Sequence, residues 1–243
     1  MHFTSPGGYF FMQIKALSTG PFQINTWIVP LTQQKVLIID PAACSFTNDQ
    51  NKITDYLQKN NLEPIAILLT HGHFDHITGT KILKEKYTDV PLVCHKNDSQ
   101  MAGANASQIQ KEALSMMGLE VLCNALNNLP NPDITFDTDT TLYSLLLSNL
   151  KDKSEELTSQ LKEWEVICTP GHTPGSVCFY NKKEKLLFSG DTIFYHSYGR
   201  TDLPGGNQKT IEQSLKRIYS TLPGDTLVYP GHDYSRFPLG ENL

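Results

Sequence analysis

The sequence contains no apolar run long enough to cross a bilayer and no excess of positive charge. Runs such as residues 36–39 (VLII) are far shorter than the roughly 20 residues that a membrane-spanning helix needs. Lysine and arginine number 20 against 25 aspartates and glutamates, and the formal net charge is −5. These features argue against membrane and nucleic-acid partners. The first residues also lack a cationic start followed by an apolar core, so we expect no secretory signal and a cytoplasmic location.

Paired cysteines are also missing. The five cysteines are an odd number, are widely spaced and include no CxxC motif. We therefore predict free, mostly buried thiols in a reducing compartment, and no thiolate metal site. The five are Cys44, Cys94, Cys123, Cys168 and Cys178.

The chain has 243 residues, of which 39% are hydrophobic, and this suits one large domain or two small ones. A Ser-Pro-Gly-Gly breaker cluster precedes the first convincing strand. We interpret residues 1–11 as a loose extension, with Met12 as an alternative translation start, and residues 12–243 as a single domain.

Apolar runs of strand length alternate with helical patterns along this domain. Strands are predicted at residues 12–17, 24–29, 35–39, 65–69, 91–95, 164–168, 176–180, 185–188 and 227–229. Helices are predicted at residues 48–60, 80–86 and 208–222, with residues 97–130 mostly helical and 141–163 forming one strand and then a helix. Residues 71–79 are predicted to be a loop, and Asn207 is placed to cap the last helix. The mixed order of strands and helices favours layered sheets with helices outside.

Metal-competent side chains follow four of the predicted strands. The stretches are THGHFDH, TPGH, SGD and PGH, and each comes where an apolar run ends on Gly or Pro. If the strands are neighbours, these side chains converge on one edge of the sheets. The candidates are His71, His73, Asp75, His76, His172, Asp191 and His232.

Seven candidates are too many for one tetrahedral ion, whereas two ions that share a carboxylate would use all seven. Imidazole and carboxylate suit zinc, iron or manganese, and the absence of cysteine argues against a closed structural zinc site. An isolated histidine such as His95 or His196 is usually a satisfied polar residue. Crowded imidazoles and carboxylates would instead be costly to bury without a metal.

The stretches THGHFDH, TPGHTPGS, FSGDT and PGH, in this order, resemble the metallo-β-lactamase superfamily. The resemblance extends from about residue 12 to the end of the chain. It implies an α/β fold, an αββα sandwich of two mixed sheets with helices on the outer faces. The stretch GRTDLPGG resembles the glyoxalase II-like hydrolases, which cleave thioesters such as S-lactoylglutathione.

The resemblance also implies a ligand set. His71, His73 and His172 would hold one ion, Asp75, His76 and His232 would hold the other, and Asp191 would bridge them. We expect two divalent ions, with zinc favoured and iron or manganese as alternatives. The ions would supply hydroxide for attack on a small-molecule thioester, and Asp75 is a candidate to orient it.

Two features depart from the resemblance. Only eleven residues follow His232, so we expect the helical region that helps glyoxalase II bind glutathione to be absent, and the thioester range to be broad. Residues 141–163 are longer than the short hairpin usual before the TPGHTPG strand.

Arg200 has two interpretations. It could anchor a substrate carboxylate, or it could pair with Asp202 and shape the loop beside Asp191; we favour the pairing.

The chief alternative function is a persulfide dioxygenase that uses one iron on the same scaffold. A lactonase or lactamase is a further alternative. A nuclease lacks support in this acidic chain, and a non-enzymatic binding module would not need seven ligands.

Overall fold

The computed structural model describes residues 13–242, and the predicted extension at residues 1–11 lies outside them. The first half of the chain builds one six-stranded sheet, in which sequence order and spatial order agree. Strands β1 to β3 pair antiparallel, and β3 to β6 pair parallel. The strands are β1 (Lys15–Thr19), β2 (Ile24–Pro30), β3 (Lys35–Ile39), β4 (Glu63–Leu68), β5 (Leu92–His95) and β6 (Ile134–Phe136).

The second half builds another six-stranded sheet, again with neighbours in sequence paired in space. All its pairs are antiparallel except the parallel pair of β10 and β11. The strands are β7 (Thr140–Thr141), β8 (Trp164–Cys168), β9 (Val177–Asn181), β10 (Leu186–Gly190), β11 (Leu227–Pro230) and β12 (Phe237–Pro238).

Seven α-helices accompany the sheets in the described part of the chain. They are α1 (Lys52–Lys59), α2 (Phe74–Ile77), α3 (Thr80–Lys86), α4 (Ala106–Met116), α5 (Leu142–Leu146), α6 (Glu155–Lys162) and α7 (Gln208–Thr221). Short 3-10 turns lie at Ser45–Thr47, Lys96–Asp98, Glu120–Leu126 and Leu239–Asn242. None of these helices has both the length and the apolar composition that a bilayer span requires.

The continuous apolar strands arise because both faces of each sheet are covered. Along β3, Val36 and Ile38 join an outer core beneath α1, α3 and α4. The alternate residues Leu37 and Ile39 point to the other face, into the core between the sheets. A third core lies on the outer face of the second sheet, where Ile218 of α7 packs. The layers are therefore helix, sheet, sheet and helix, which confirms the predicted fold class.

Several local predictions differ from the structure. The first helix begins at Lys52 and not at 48, because Asn48 has a left-handed φ of 56° that ends a 3-10 turn. Residues 71–79 are not wholly a loop, because α2 forms a helical turn inside them. Residues 141–163 contain two helices, α5 and α6, and not the one that was predicted. The predicted strand at the start of this stretch is reduced to Thr141, the second residue of β7. Strand β3, helix α3 and strand β8 have the predicted bounds.

All five thiols are free, as predicted. Cys44, Cys94 and Cys178 are buried, and Cys123 and Cys168 are partly buried. The cap of the last helix is also confirmed, since the Asn207 side chain accepts a hydrogen bond from the backbone N–H of Thr210 at 2.9 Å.

Candidate metal centre

The seven candidate side chains gather at one edge of the sandwich. In the first sheet, β3, β4 and β5 run parallel, so the segments that follow them emerge on the same side. In the second sheet, β8, β10 and β11 share a direction. Two backbone hydrogen bonds join the edges of the sheets: Val177 N–H donates to Thr70 O at 2.8 Å, and Asn25 N–H donates to Gly231 O at 2.7 Å.

His71, His73 and His172 form the first cluster, with a ring nitrogen of each within 4.8 Å of the other two. His73 Nδ1 lies 2.8 Å from His172 Nε2. His71 Nε2 is buried and has no hydrogen-bond partner among residues 13–242. Burial lowers the pKa of His71 well below its usual range and that of His73 to about 3. Neutral imidazoles with converging lone pairs are what a divalent metal needs.

Asp75, His76 and His232 form the second cluster. His232 Nε2 lies 3.3 Å from Asp75 Oδ2 and 3.3 Å from His76 Nε2. Asp75 and His76 are consecutive residues of the helical turn α2, and Asp75 Oδ2 lies 3.9 Å from His76 Nε2. One carboxylate and two imidazoles again match a metal ligand set.

Asp191 lies between the two clusters. Its Oδ2 is 3.6 Å from His172 Nε2 and 3.5 Å from His232 Nε2, and its Oδ1 is 3.3 Å from His76 Nε2. The oxygens of Asp191 thus lie within 3.6 Å of ring nitrogens from both clusters. This position fits a bridging ligand.

Electrostatics distinguish the second cluster from the first. Burial by itself lowers the pKa of His76, but the carboxylates of Asp191, Asp75 and Asp40 outweigh it and hold that pKa well above its usual range. The pKa of His232 is also raised, because the Asp75 and Asp191 carboxylates outweigh burial. Burial raises the pKa of Asp191, yet the surrounding imidazoles, His76 first, hold it well below its usual range. The carboxylates of this cluster therefore favour positive charge at the position where a cation would bind.

Asp40 supports both clusters, and the sequence analysis missed it. Its Oδ2 lies 3.0 Å from His76 Nδ1 and accepts the Thr70 hydroxyl at 2.6 Å, while its Oδ1 accepts the Thr70 backbone N–H at 2.7 Å. The same hydroxyl lies 3.0 Å from His71 Nδ1. Such outer partners orient ligating imidazoles. A signal was present, because Asp40 follows the apolar strand β3 just as the other candidates follow theirs.

The GRTD stretch reaches the first cluster through its backbone. His172 Nδ1 donates to the Arg200 carbonyl oxygen at 2.8 Å, which leaves His172 Nε2 free to face the cluster. A Cβ at Gly199 would lie 1.9 Å from Asp191 O and 2.9 Å from His172 Nδ1, so only glycine fits. The Arg200 side chain instead makes two 2.7 Å bonds to Asp202 at the surface. This is the pairing favoured above, and a role of Arg200 in substrate binding stays a prediction.

Gln110 is a second residue that the sequence analysis missed. Its Oε1 accepts the Phe74 backbone N–H at 2.8 Å, and its Nε2 donates to Gly72 O at 2.9 Å. It thereby fixes the start of α2. The available signal was a polar residue on the buried face of α4, four positions from both Ala106 and Leu114.

The other two histidines considered above lie apart from these clusters. His95 is buried, accepts the Asn97 backbone N–H at 3.2 Å and packs edge-on against Phe136. The backbone N–H of His196 donates to the Asn242 side chain. Neither belongs to a metal-competent group in the part of the chain that the structure describes.

A family model described as the metallo-beta-lactamase superfamily matches residues 19–232. The chain belongs to this superfamily. Among curated proteins, it is 34% identical over 224 residues to the protein named "Probable metallo-hydrolase YqgX" of Bacillus subtilis (strain 168), covering 91% of this chain and 90% of that protein. It is also 34% identical over 190 residues to "Glyoxylase B2" of Dictyostelium discoideum, covering 77% of this chain but 56% of that protein.

Solved structures of the superfamily support the same assignment. The B3 metallo-beta-lactamase BLEG-1 is 28% identical, with a TM-score of 0.71 and coverage of 94% of this chain and 95% of its own. TTHA1623, solved in a di-iron-bound form, is 30% identical, with a TM-score of 0.65. The match covers 93% of this chain and 96% of TTHA1623. This superfamily binds metal at a binuclear site, and the paired clusters of the present chain are metal-competent groups that fit such a site.

Proposed function

We propose that this chain is a metal-dependent hydrolase that cleaves thioesters, with S-lactoylglutathione or a related acyl thioester as substrate. The observation that carries the proposal is the position of Asp191 between two three-residue clusters, with 3.3–3.6 Å from its oxygens to His76, His172 and His232. The GRTDLPGG stretch beside it and the relative named Glyoxylase B2 support thioesters as the substrate class.

The seven candidate residues would serve as ligands to two cations. His71, His73 and His172 would hold one cation, Asp75, His76 and His232 would hold the other, and Asp191 would contact both. Bound divalent cations supply Lewis acidity and activate water near neutral pH. Zinc is the proposed metal, with iron and manganese as alternatives; TTHA1623 holds two irons.

The protein itself orients the reactants. Asp75 is a partly exposed member of the second cluster, and its carboxylate could accept a hydrogen bond from the attacking water and align it with the thioester carbonyl. The leaving thiolate has an ordinary pKa of about 8.5, so it departs without a strong general acid. The free thiols of the chain fit a reducing compartment, which supports the cytoplasm as the proposed location.

A substrate panel tests the proposal. Protein stripped of metal and reconstituted with zinc, iron or manganese is assayed for thiol release from S-lactoylglutathione and from other acyl thioesters. We expect hydrolysis of S-lactoylglutathione with a modest preference over the other thioesters. A reconstituted protein that releases no thiol from any of them would refute the proposal.

The same preparations test the persulfide dioxygenase alternative. That activity requires iron and consumes oxygen when a glutathione persulfide is supplied. Oxygen uptake by the iron-loaded protein, without thiol release from thioesters, would favour the alternative.

A further inference from the structure

A buried carboxylate outside the seven candidate ligands lies beside the first cluster. Asp98 ends the 3-10 turn that follows β5, and its side chain is fully buried. Because β5 runs parallel to β4, this turn emerges next to the segment that carries His71 and His73. Burying a carboxylate is costly unless its oxygens are well hydrogen-bonded.

Asp98 meets this requirement by joining two loops. Its Oδ2 accepts the Gly72 backbone N–H at 2.9 Å and the Thr173 hydroxyl at 2.7 Å. Its Oδ1 accepts the Gly175 backbone N–H at 2.7 Å. Gly72 lies between His71 and His73, and Thr173 directly follows His172. A single carboxylate therefore ties together the loops that carry the whole first cluster.

The two loops belong to different sheets. The Gly72 loop follows β4 of the first sheet, and the Thr173 loop joins β8 to β9 of the second. Both backbones approach Asp98 closely, since a Cβ at Gly175 would lie 2.5 Å from Asp98 Oδ1 and a Cβ at Gly72 would lie 3.2 Å from Asp98 Cβ. Gln110 also holds the Gly72 loop, but its hydrogen bonds go to Phe74, Gly72 and Met101 and none to the His172 loop.

The number of donors explains why the residue is an aspartate. Three donors converge on two oxygens, and a carboxylate offers about four lone-pair sites for them. An asparagine would offer one acceptor oxygen and would present its NH₂ group to a donor on the other side. At least one buried N–H or O–H would then lose its partner.

We propose that Asp98 is a positioning residue that fixes the separation of His71 and His73 from His172 and thereby sets the affinity of the first cluster for its metal ion. This inference rests on the ligand set of the proposed function but not on the thioester substrate. Its test therefore uses metal binding alone, so that a failure here is distinct from a failure of the thioester assignment.

Asp49 provides a matched control. Its carboxylate also accepts two backbone N–H groups and one threonine hydroxyl, from Gly20 and Cys44 at 2.8 Å and from Thr47 at 2.5 Å. None of these partners is a candidate ligand or the neighbour of one. The variants Asp98→Asn and Asp49→Asn thus remove equivalent hydrogen bonds, and only the first removes them between the ligand loops.

The experiment is carried out on full-length protein that also carries His232→Ala, so that the first cluster is titrated by itself. Zinc affinity is measured by competition with a chromophoric chelator, and the absorption spectrum of the cobalt form reports ligand geometry. We expect Asp98→Asn to weaken zinc binding by about 10- to 100-fold, the usual range for an outer partner, and to change the cobalt spectrum. We expect Asp49→Asn to leave the zinc affinity unchanged within about threefold and to leave the cobalt spectrum unchanged, whatever its effect on thermal stability.

Equal zinc affinities for the two variants, with unchanged cobalt spectra, would overturn the proposal. If Asp98→Asn does not fold, Thr173→Val tests the proposal in its place, since it removes one of the three hydrogen-bond donors to Asp98 and keeps the carboxylate. A measurable loss of zinc affinity in Thr173→Val supports the positioning role, and an unchanged affinity refutes it.

Discussion

Asp40 Oδ2 lies 3.0 Å from His76 Nδ1. Asp40 therefore holds the His76 imidazole by the nitrogen opposite to Nε2, which faces Asp191. The same carboxylate accepts two hydrogen bonds from Thr70, which precedes His71. Asp40 thus connects the ends of β3 and β4 and aims a ligand of each cluster. Its left-handed φ of 50° is one that asparagine also adopts readily.

Asp40→Asn should therefore weaken binding of the second ion without adding backbone strain. We expect about a 10- to 100-fold loss of affinity, because the amide cannot serve both Thr70 and His76 as the carboxylate does. Chelator competition measures the loss. Asp225→Asn is the control, since Asp225 pairs with Lys185 at the surface. Affinities that are the same in both variants would contradict the role assigned to Asp40.

Asp191→Ala should be the most damaging single change among the seven candidates. It removes a ligand from both ions and leaves two cations facing each other without the charge between them. We expect loss of both ions and a fall in turnover greater than the about 10- to 100-fold that an outer partner typically causes. His232→Ala should mainly remove the second ion. Elemental analysis of both variants checks this, and an Asp191→Ala protein with two ions and near-normal turnover would show that Asp191 does not bridge.

The seven candidates and the layered fold could be predicted because both depend on local patterns. The apolar run of β3 is continuous since its two faces enter different cores, and metal-competent residues follow strands that end at one edge. The boundary between α5 and α6 could not be located in this way, since no Gly or Pro lies between them. Their starts are instead set by the Thr141 and Ser154 side-chain caps.

The helical turn α2 was missed for a different reason. A four-residue helix is unstable by itself, and the flanking Gly72 and Gly79 favour a loop. It forms here because Gln110, 36 residues away in the sequence, accepts the Phe74 N–H. Asp98 was missed in the same way, because its role arises from contacts between distant loops. Asp40 differs, because its position after the apolar strand β3 was a signal that the sequence analysis did not use.

The two ions should respond differently to pH. In the ion-free protein the pKa values of His76 and His232 are raised by neighbouring carboxylates, so an incoming cation must displace their protons. Burial keeps His71 and His73 neutral, with a pKa of about 3 for His73. As the pH falls below neutral, affinity at the second cluster should therefore decrease first. Zinc titrations between about pH 5 and 8 check this, with His232→Ala isolating the first cluster; parallel losses at both sites would contradict it.

The most direct test of the two-ion thioester hydrolase is a titration of activity with metal. Metal-free protein receives zinc in increments, and thiol release from S-lactoylglutathione is measured at each ratio of zinc to protein. The account predicts that the rate rises to a plateau at two equivalents and that Asp191→Ala shows no such rise. A plateau at one equivalent, or no thiol release at any ratio, would contradict it.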